Sequence, residues 1–134
     1  MQFVDANVFV RYLTGDDPKK AERCLALFQQ AKQNKVSITT SETVIAEVVY
    51  VLSSRIYNLS RKEVVARLQP LITLPGLKLL SRDMFIRALT LYATYNIDFE
   101  DCLSVAHMEC KKVTEIYTYD TDFDKFNALK RIEP

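Results

Sequence analysis

Short β-rich runs alternate with longer stretches of helical periodicity along the whole chain. This alternation constrains the fold more than any other feature of the sequence. It begins at once: Gln2-Phe3-Val4 is a short apolar run, Asp5 follows, and Val8-Phe9-Val10 with Tyr12-Leu13 opens an apolar-periodic segment. The pattern predicts a strand of about three residues feeding directly into a helix, with Asp5 at the junction. In an open α/β sheet, ligands bind beyond the carboxyl ends of the strands, so a carboxylate there is a candidate site residue. Asp is also a favoured helix N-cap, and a capping role alone implies no chemistry.

The alternation continues. Thr14-Gly15-Asp16-Asp17-Pro18 is a turn cluster with Pro placed to open a second amphipathic helix that runs to about Asn34. Val36–Thr39 reads as a strand, and Ser41 begins a long helix through about Tyr57. Ser60 with Glu63 three residues on has capping-box spacing for a helix to about Leu71. Beyond Pro75-Gly76, Leu77–Leu80 is a strand, Arg82–Tyr95 a helix, and Asp98 starts a helix to about Lys111. Ile116–Tyr119 is β-rich and ends on Asp120; a turn of helix at Phe123–Phe126 and a stretch near Leu129–Ile132 complete the chain. With no long linker, repeat or low-complexity segment, residues 1–134 predict a single three-layer α/β domain.

Composition narrows the function classes. A chain of 134 residues, 49% hydrophobic and 26% charged, is an ordinary globular balance for one core. The formal net charge of +1 gives no global field for polyanions, so a nucleic acid must be held by a local patch or a metal. The three cysteines (Cys24, Cys102, Cys110) lack disulfide or zinc spacing, and their apolar helical settings predict buried reduced thiols. Neither glycine belongs to a GxGxxG or P-loop pattern. No signal-peptide pattern opens the chain and no apolar run reaches membrane-spanning length, so a cytoplasmic protein is expected.

The informative residues are acids. Thr43–Leu52 is apolar on nearly every side except at Glu47, whose helical neighbours Val44 and Val51 share its face. An ionised glutamate inside such a stripe costs several kcal/mol unless a cation or strong donors compensate it; at the edge of the stripe it reaches solvent instead. Asp98-Phe99-Glu100-Asp101 starts a helix, where Asp98 as N-cap and Asp101 at the third position resemble a capping box. Asp120 follows a strand directly, as Asp5 does, and can form an Asx-turn, while Asp122 can cap the short helix after it. If the strands are parallel neighbours, the four acids meet at one end of the sheet. Crowded carboxylates repel unless a cation neutralises them, and an oxygen-only donor set suits Mg²⁺ or Mn²⁺. The one histidine, His107, sits mid-helix among apolar residues with no serine or cysteine partner suggested by sequence.

Four segments together resemble the PIN-domain family of metal-dependent ribonucleases, and within it the VapC-type toxins of toxin–antitoxin pairs. They are Val4-Asp5-Ala6-Asn7-Val8 with Arg11–Pro18, Ile45–Leu52 around Glu47, Ile97–Leu103, and Thr118–Phe123. The resemblance covers nearly the whole chain and implies a parallel sheet of about five strands with helices on both faces. It places an acidic quartet at Asp5, Glu47, Asp101 and Asp120, with Asp5 and Asp101 as principal ligands of Mg²⁺ or Mn²⁺. Asp98 and Asp122 stand as substitutes or supporting groups, and Asn7 and Thr118 as hydrogen-bonding supports. Cys102 departs from the small residue usual at its position.

The resemblance further implies hydrolysis of RNA phosphodiester bonds, a homodimer, and a cognate antitoxin that inserts a segment near the active site. Arg11 lies nearest the first motif, and Lys111 and Lys112 follow the third; these are candidates to position RNA. The rival reading keeps the fold and drops the reaction: a PIN-like RNA-binding or regulatory protein. A phosphatase using Asp5 as nucleophile needs a second aspartate two residues on, where this chain has Asn7. A purely structural domain, with the acids as caps, tolerates Glu47→Gln.

Overall fold

The computed structural model describes residues 1–134. Its elements follow the alternation of the sequence: β1 (Gln2–Phe3), α1 (Ala6–Thr14), α2 (Pro18–Lys32), β2 (Ile38–Thr39), α3 (Glu42–Ser53), α4 (Arg61–Ile72), β3 (Leu77–Lys78), α5 (Arg82–Thr94), α6 (Phe99–Lys111), β4 (Glu115–Tyr117), a 3₁₀ turn (Thr121–Lys125) and β5 (Lys130–Ile132). The fold is α/β, with parallel strands flanked by helices.

The five strands are present, but they do not form one continuous sheet. β1, β2 and β3 pair in that order, all parallel, while β4 and β5 form a separate parallel pair. The strands are short because helix starts follow them so closely: only Val4 and Asp5 separate β1 from α1. Registers are Gln2 opposite Ile38 opposite Leu77 in the first sheet and Ile116 opposite Arg131 in the second.

Helix ends follow local chemistry. Asp17 caps α2 by accepting from the Lys20 amide at 3.1 Å, with Pro18 at the first helical position. Ser60 and Glu63 form the expected capping box at the start of α4. Helix α3 is shorter than its apolar run implies. It stops at Ser53, where the Ser54 hydroxyl bonds the Val51 carbonyl at 2.6 Å and the backbone turns extended.

The core is wholly apolar. No charged or hydrogen-bonding polar side chain is fully buried among Phe9, Ile38, Ile45, Leu52, Leu77, Leu89 and their neighbours. Helix α1 packs on α2 and α3, and α5 packs on α4 and α6. Val44, Ile45, Val48, Val49 and Leu52 of α3's apolar stripe are buried in this core and Val51 is partly so, which makes the stripe core; Tyr50 is exposed at its rim. Cys102 is buried as expected, but Cys24 is only half-buried and Cys110 is exposed, each at the edge of its helix's apolar stripe. No helix is long and apolar enough to cross a membrane.

Candidate metal centre

Three carboxylates converge where α6 begins and β4 ends. Asp101, Asp120 and Asp122 each offer an oxygen, and these atoms lie within 4.8 Å of one another. Asp101 sits in the first turn of α6, half-buried, with no donor of the protein bonded to its carboxylate. Burial, and then the negative charges of Asp120, Asp98, Asp122 and Glu100, push its carboxyl above the ordinary range. A group held against its own ionisation in this way is one that a cation would relieve.

The loop after β4 is built to present the other two acids. The Thr118 hydroxyl accepts from the Asp120 amide at 3.0 Å, and the Asp120 carboxylate accepts from the Asp122 amide at 2.8 Å, which forms the Asx-turn foreseen from sequence. Asp122 is tied in turn to Lys125 at 2.7 Å, and the same ammonium bonds the Asn96 carbonyl at 2.9 Å. Lys125 was not singled out from sequence, although its place three residues after Asp122 on a helical turn was the available signal.

Two acids expected as caps do not cap. Asp5 occupies the N-cap position of α1 and Asp98 that of α6, yet neither side chain bonds a helix amide. The capping box imagined for Asp98 and Asp101 is therefore absent. Both carboxylates are exposed and unbonded, which leaves them available to a ligand. Asp5 lies outside the group of three mutually close acids, as does Glu47.

Glu47 is exposed rather than held inside the apolar stripe of α3. It lies at the stripe's edge and faces a hollow shared with Glu42, Tyr50, Glu100 and His107. There the His107 imidazole meets the Glu42 carboxylate at 3.1 Å and joins α6 to the first turn of α3. Asn7 is exposed on α1 and its side chain has no bonded partner.

A neighbouring cavity of about 610 Å³ opens beside Asp98 and Asp101. Its one cation, Arg61, is committed to the fold: the guanidinium donates to the carbonyls of Tyr92, Tyr95 and Ile97 and lies 4.3 Å from the Tyr92 ring centre. Arg11, a candidate to meet RNA, is paired with Asp16 at 2.6 Å, and Tyr57 donates to the same carboxylate. Lys111 and Lys112 are exposed.

The donor set fits a hard divalent cation. It is made of oxygens alone, within 4.8 Å of one another, with an amide-braced loop on one side and a helix start on the other. A family model for the PIN domain matches residues 3–129. No individual curated protein matches the chain. PIN domains are in general nucleases that need a divalent metal, and an acidic triad is present in this chain. With nearly its whole length matched, the chain belongs to the PIN domain family.

Proposed function

We propose that this protein is a Mg²⁺- or Mn²⁺-dependent endoribonuclease of the VapC type, the toxin of a toxin–antitoxin pair. The observation that carries the reading is the crowding of Asp101, Asp120 and Asp122 within 4.8 Å, with Asp101 resisting its own ionisation. When bound, a divalent cation supplies an activated water and offsets the charge that develops on a phosphodiester.

The protein's part is to place and tune. Asp101 and Asp120 would hold the cation, with Asp122 beside them, and Asp5 would complete the set from the start of α1. Thr118 fixes the Asp120 amide, so the loop needs no rearrangement to present its acids. Lys125 pairs with Asp122 and holds that carboxylate at the edge of the group. Glu47 would orient water or the leaving group, with Asp98 and Asn7 as supports. The RNA contacts, the antitoxin and a homodimer belong to this reading through the family resemblance; Lys111 and Lys112, at the far end of α6 from Asp101, are exposed and unpaired.

The test is cleavage of a mixed cellular RNA pool by purified protein with Mg²⁺, with EDTA, and with the Asp5→Asn variant. Cleavage that needs both metal and Asp5 supports the nuclease. Well-folded protein free of any co-purified partner that cuts nothing would move the reading to an RNA-binding or regulatory PIN domain.

A further inference from the structure

The cavity beside the acidic triad has a wall that the reaction does not use. Tyr50 of α3 stands on it, 72% exposed, and its hydroxyl has no bonded partner in the protein. What sets Tyr50 apart from the other exposed tyrosines, Tyr117 and Tyr119, is that it lines a concave surface of about 610 Å³, the size class of small-molecule pockets. Glu100, exposed and unbonded through its carboxylate, lines the same cavity.

The charges decide what can lie there. A phosphate is disfavoured, because three carboxylates, Asp98, Glu100 and Asp101, line the cavity against one cation, Arg61, whose Nη1 is held by three backbone carbonyls. What remains is a π-face and hydrogen-bond acceptors. An unstacked nucleobase supplies the matching face, and aromatic side chains are the usual platform for bases of single-stranded RNA. Among the four bases only guanine carries two adjacent donors, N1–H and N2–H₂, on the edge that meets a carboxylate.

We propose that this cavity is a nucleobase subsite in which one unpaired guanine of the RNA lies against Tyr50 and turns its donor edge toward Glu100. The inference rests on RNA being the substrate proposed above. It makes Tyr50 and Glu100 determinants of where an RNA is cut, and leaves the chemistry to the acids next to them.

Nucleosides test the pocket without any cleavage. Guanosine, adenosine, cytidine and uridine are titrated into ¹⁵N-labelled protein, and the amides of Tyr50, Ser53, Phe99 and Glu100 are followed by NMR. Guanosine should shift them at the lowest concentration. Tyr50→Leu should weaken guanosine about tenfold or more, whereas Tyr50→Phe should bind like the wild type. Glu100→Gln should erase the preference for guanosine over adenosine. Absence of shifts at these amides, or a Tyr50→Leu variant that binds guanosine unchanged, overturns the subsite. All three substitutions are at exposed positions, and the dispersion of the spectrum reports their folding directly. The same proteins are then given the RNA pool. Cleavage by Tyr50→Leu with the wild-type KM and base pattern overturns the subsite and leaves the nuclease intact. Guanosine binding that needs Tyr50, in a protein that cuts nothing, supports the subsite and removes the nuclease instead.

Discussion

Arg61, the first residue of α4, donates to the carbonyl of Ile97 at 2.6 Å, one residue ahead of the N-cap Asp98 of α6. The same nitrogen reaches the Tyr92 and Tyr95 carbonyls at the end of α5, where a helix leaves its last acceptors unpaired and favours a cation. One side chain thus sets the angle at which the α5–α6 turn delivers Asp98 and Asp101. Arg61→Met should cost about 2 kcal/mol, the scale for losing hydrogen bonds to a charged donor, read as a lower urea midpoint at unchanged slope. Arg61→Lys should recover only part of it, because a compact ammonium does not reproduce the planar fork over Tyr92. Its cation affinity should fall between those of the wild type and Arg61→Met.

Gly76 tests a different kind of constraint. Its amide donates to the Ala31 carbonyl at 2.9 Å and its own carbonyl accepts from Ile38 at 2.9 Å, so it locks the end of α2 to the β2–β3 register. A β-carbon there would lie 2.5 Å from the Val36 oxygen and 2.6 Å from the Ala31 oxygen, both backbone atoms that cannot rotate away. Gly76→Ala should therefore destabilise by about 1–3 kcal/mol, measured by thermal or urea unfolding. The equivalent change at Gly15, which has open space and a left-handed φ of 65°, should act through backbone strain alone and cost about 1 kcal/mol.

Much of this was legible in the sequence, and the failures have physical causes. Period-2 and period-3.6 patterns located every helix and four of the five strands, with the stretch that forms β5 left unassigned, and the Ser60–Glu63 spacing announced its capping box. The break between the two sheets was not legible. Pairing of β1 with β4 is a long-range matter that carries no local pattern. Asp5 and Asp98 show the limit more sharply: residue type and position fit an N-cap in both, but only coordinates tell that the side chains decline the bond. Lys125 and Tyr50 were passed over because an isolated surface lysine or tyrosine looks the same in a sequence whether or not it borders a site.

The thiols should separate cleanly by reactivity. Cys102 is fully buried and desolvation pushes its thiol up to about 12, so the native protein offers almost no thiolate there at pH 8. Cys24 is also raised by burial, whereas Cys110 is exposed on the last turn of α6. Alkylation with iodoacetamide followed by mass spectrometry should label Cys110 first and Cys24 slowly. Cys102 should react only at the rate of global unfolding, and label on it under native conditions would refute its place in the core.

Asp101 predicts a pH signature. Its folded carboxyl is raised, so the folded chain holds that proton more tightly than the unfolded chain does. Stability from this group is therefore greatest below the ordinary carboxylate range and declines as pH rises through the window up to the raised value. In EDTA, Asp101→Asn should melt higher than the wild type above that window and level with it below. Added Mn²⁺ should raise the melting temperature of the wild type and not of the variant. A variant that gains as much from Mn²⁺ as the wild type would take Asp101 out of the ligand set.

Asp5 gives the cleanest separation of structure from chemistry. A capping aspartate is worth about 1 kcal/mol, and its loss shows in any unfolding curve. Asp5 holds the N-cap position of α1 without making the bond, and its carboxylate is exposed. Asp5→Asn should therefore leave stability within about 0.5 kcal/mol of the wild type, the ordinary range for a surface change. Glu47→Gln should do the same, because Glu47 is exposed and its side chain bonds nothing. If both variants keep their stability and Mn²⁺-free fold but lose RNA cleavage by a hundredfold or more, on the order of removing one electrostatic contributor to a transition state, the two acids serve the reaction and not the fold. Loss of stability by Asp5→Asn with cleavage retained would return Asp5 to the role of a cap, and the metal centre would then consist of the acids of α6 and the β4 loop alone.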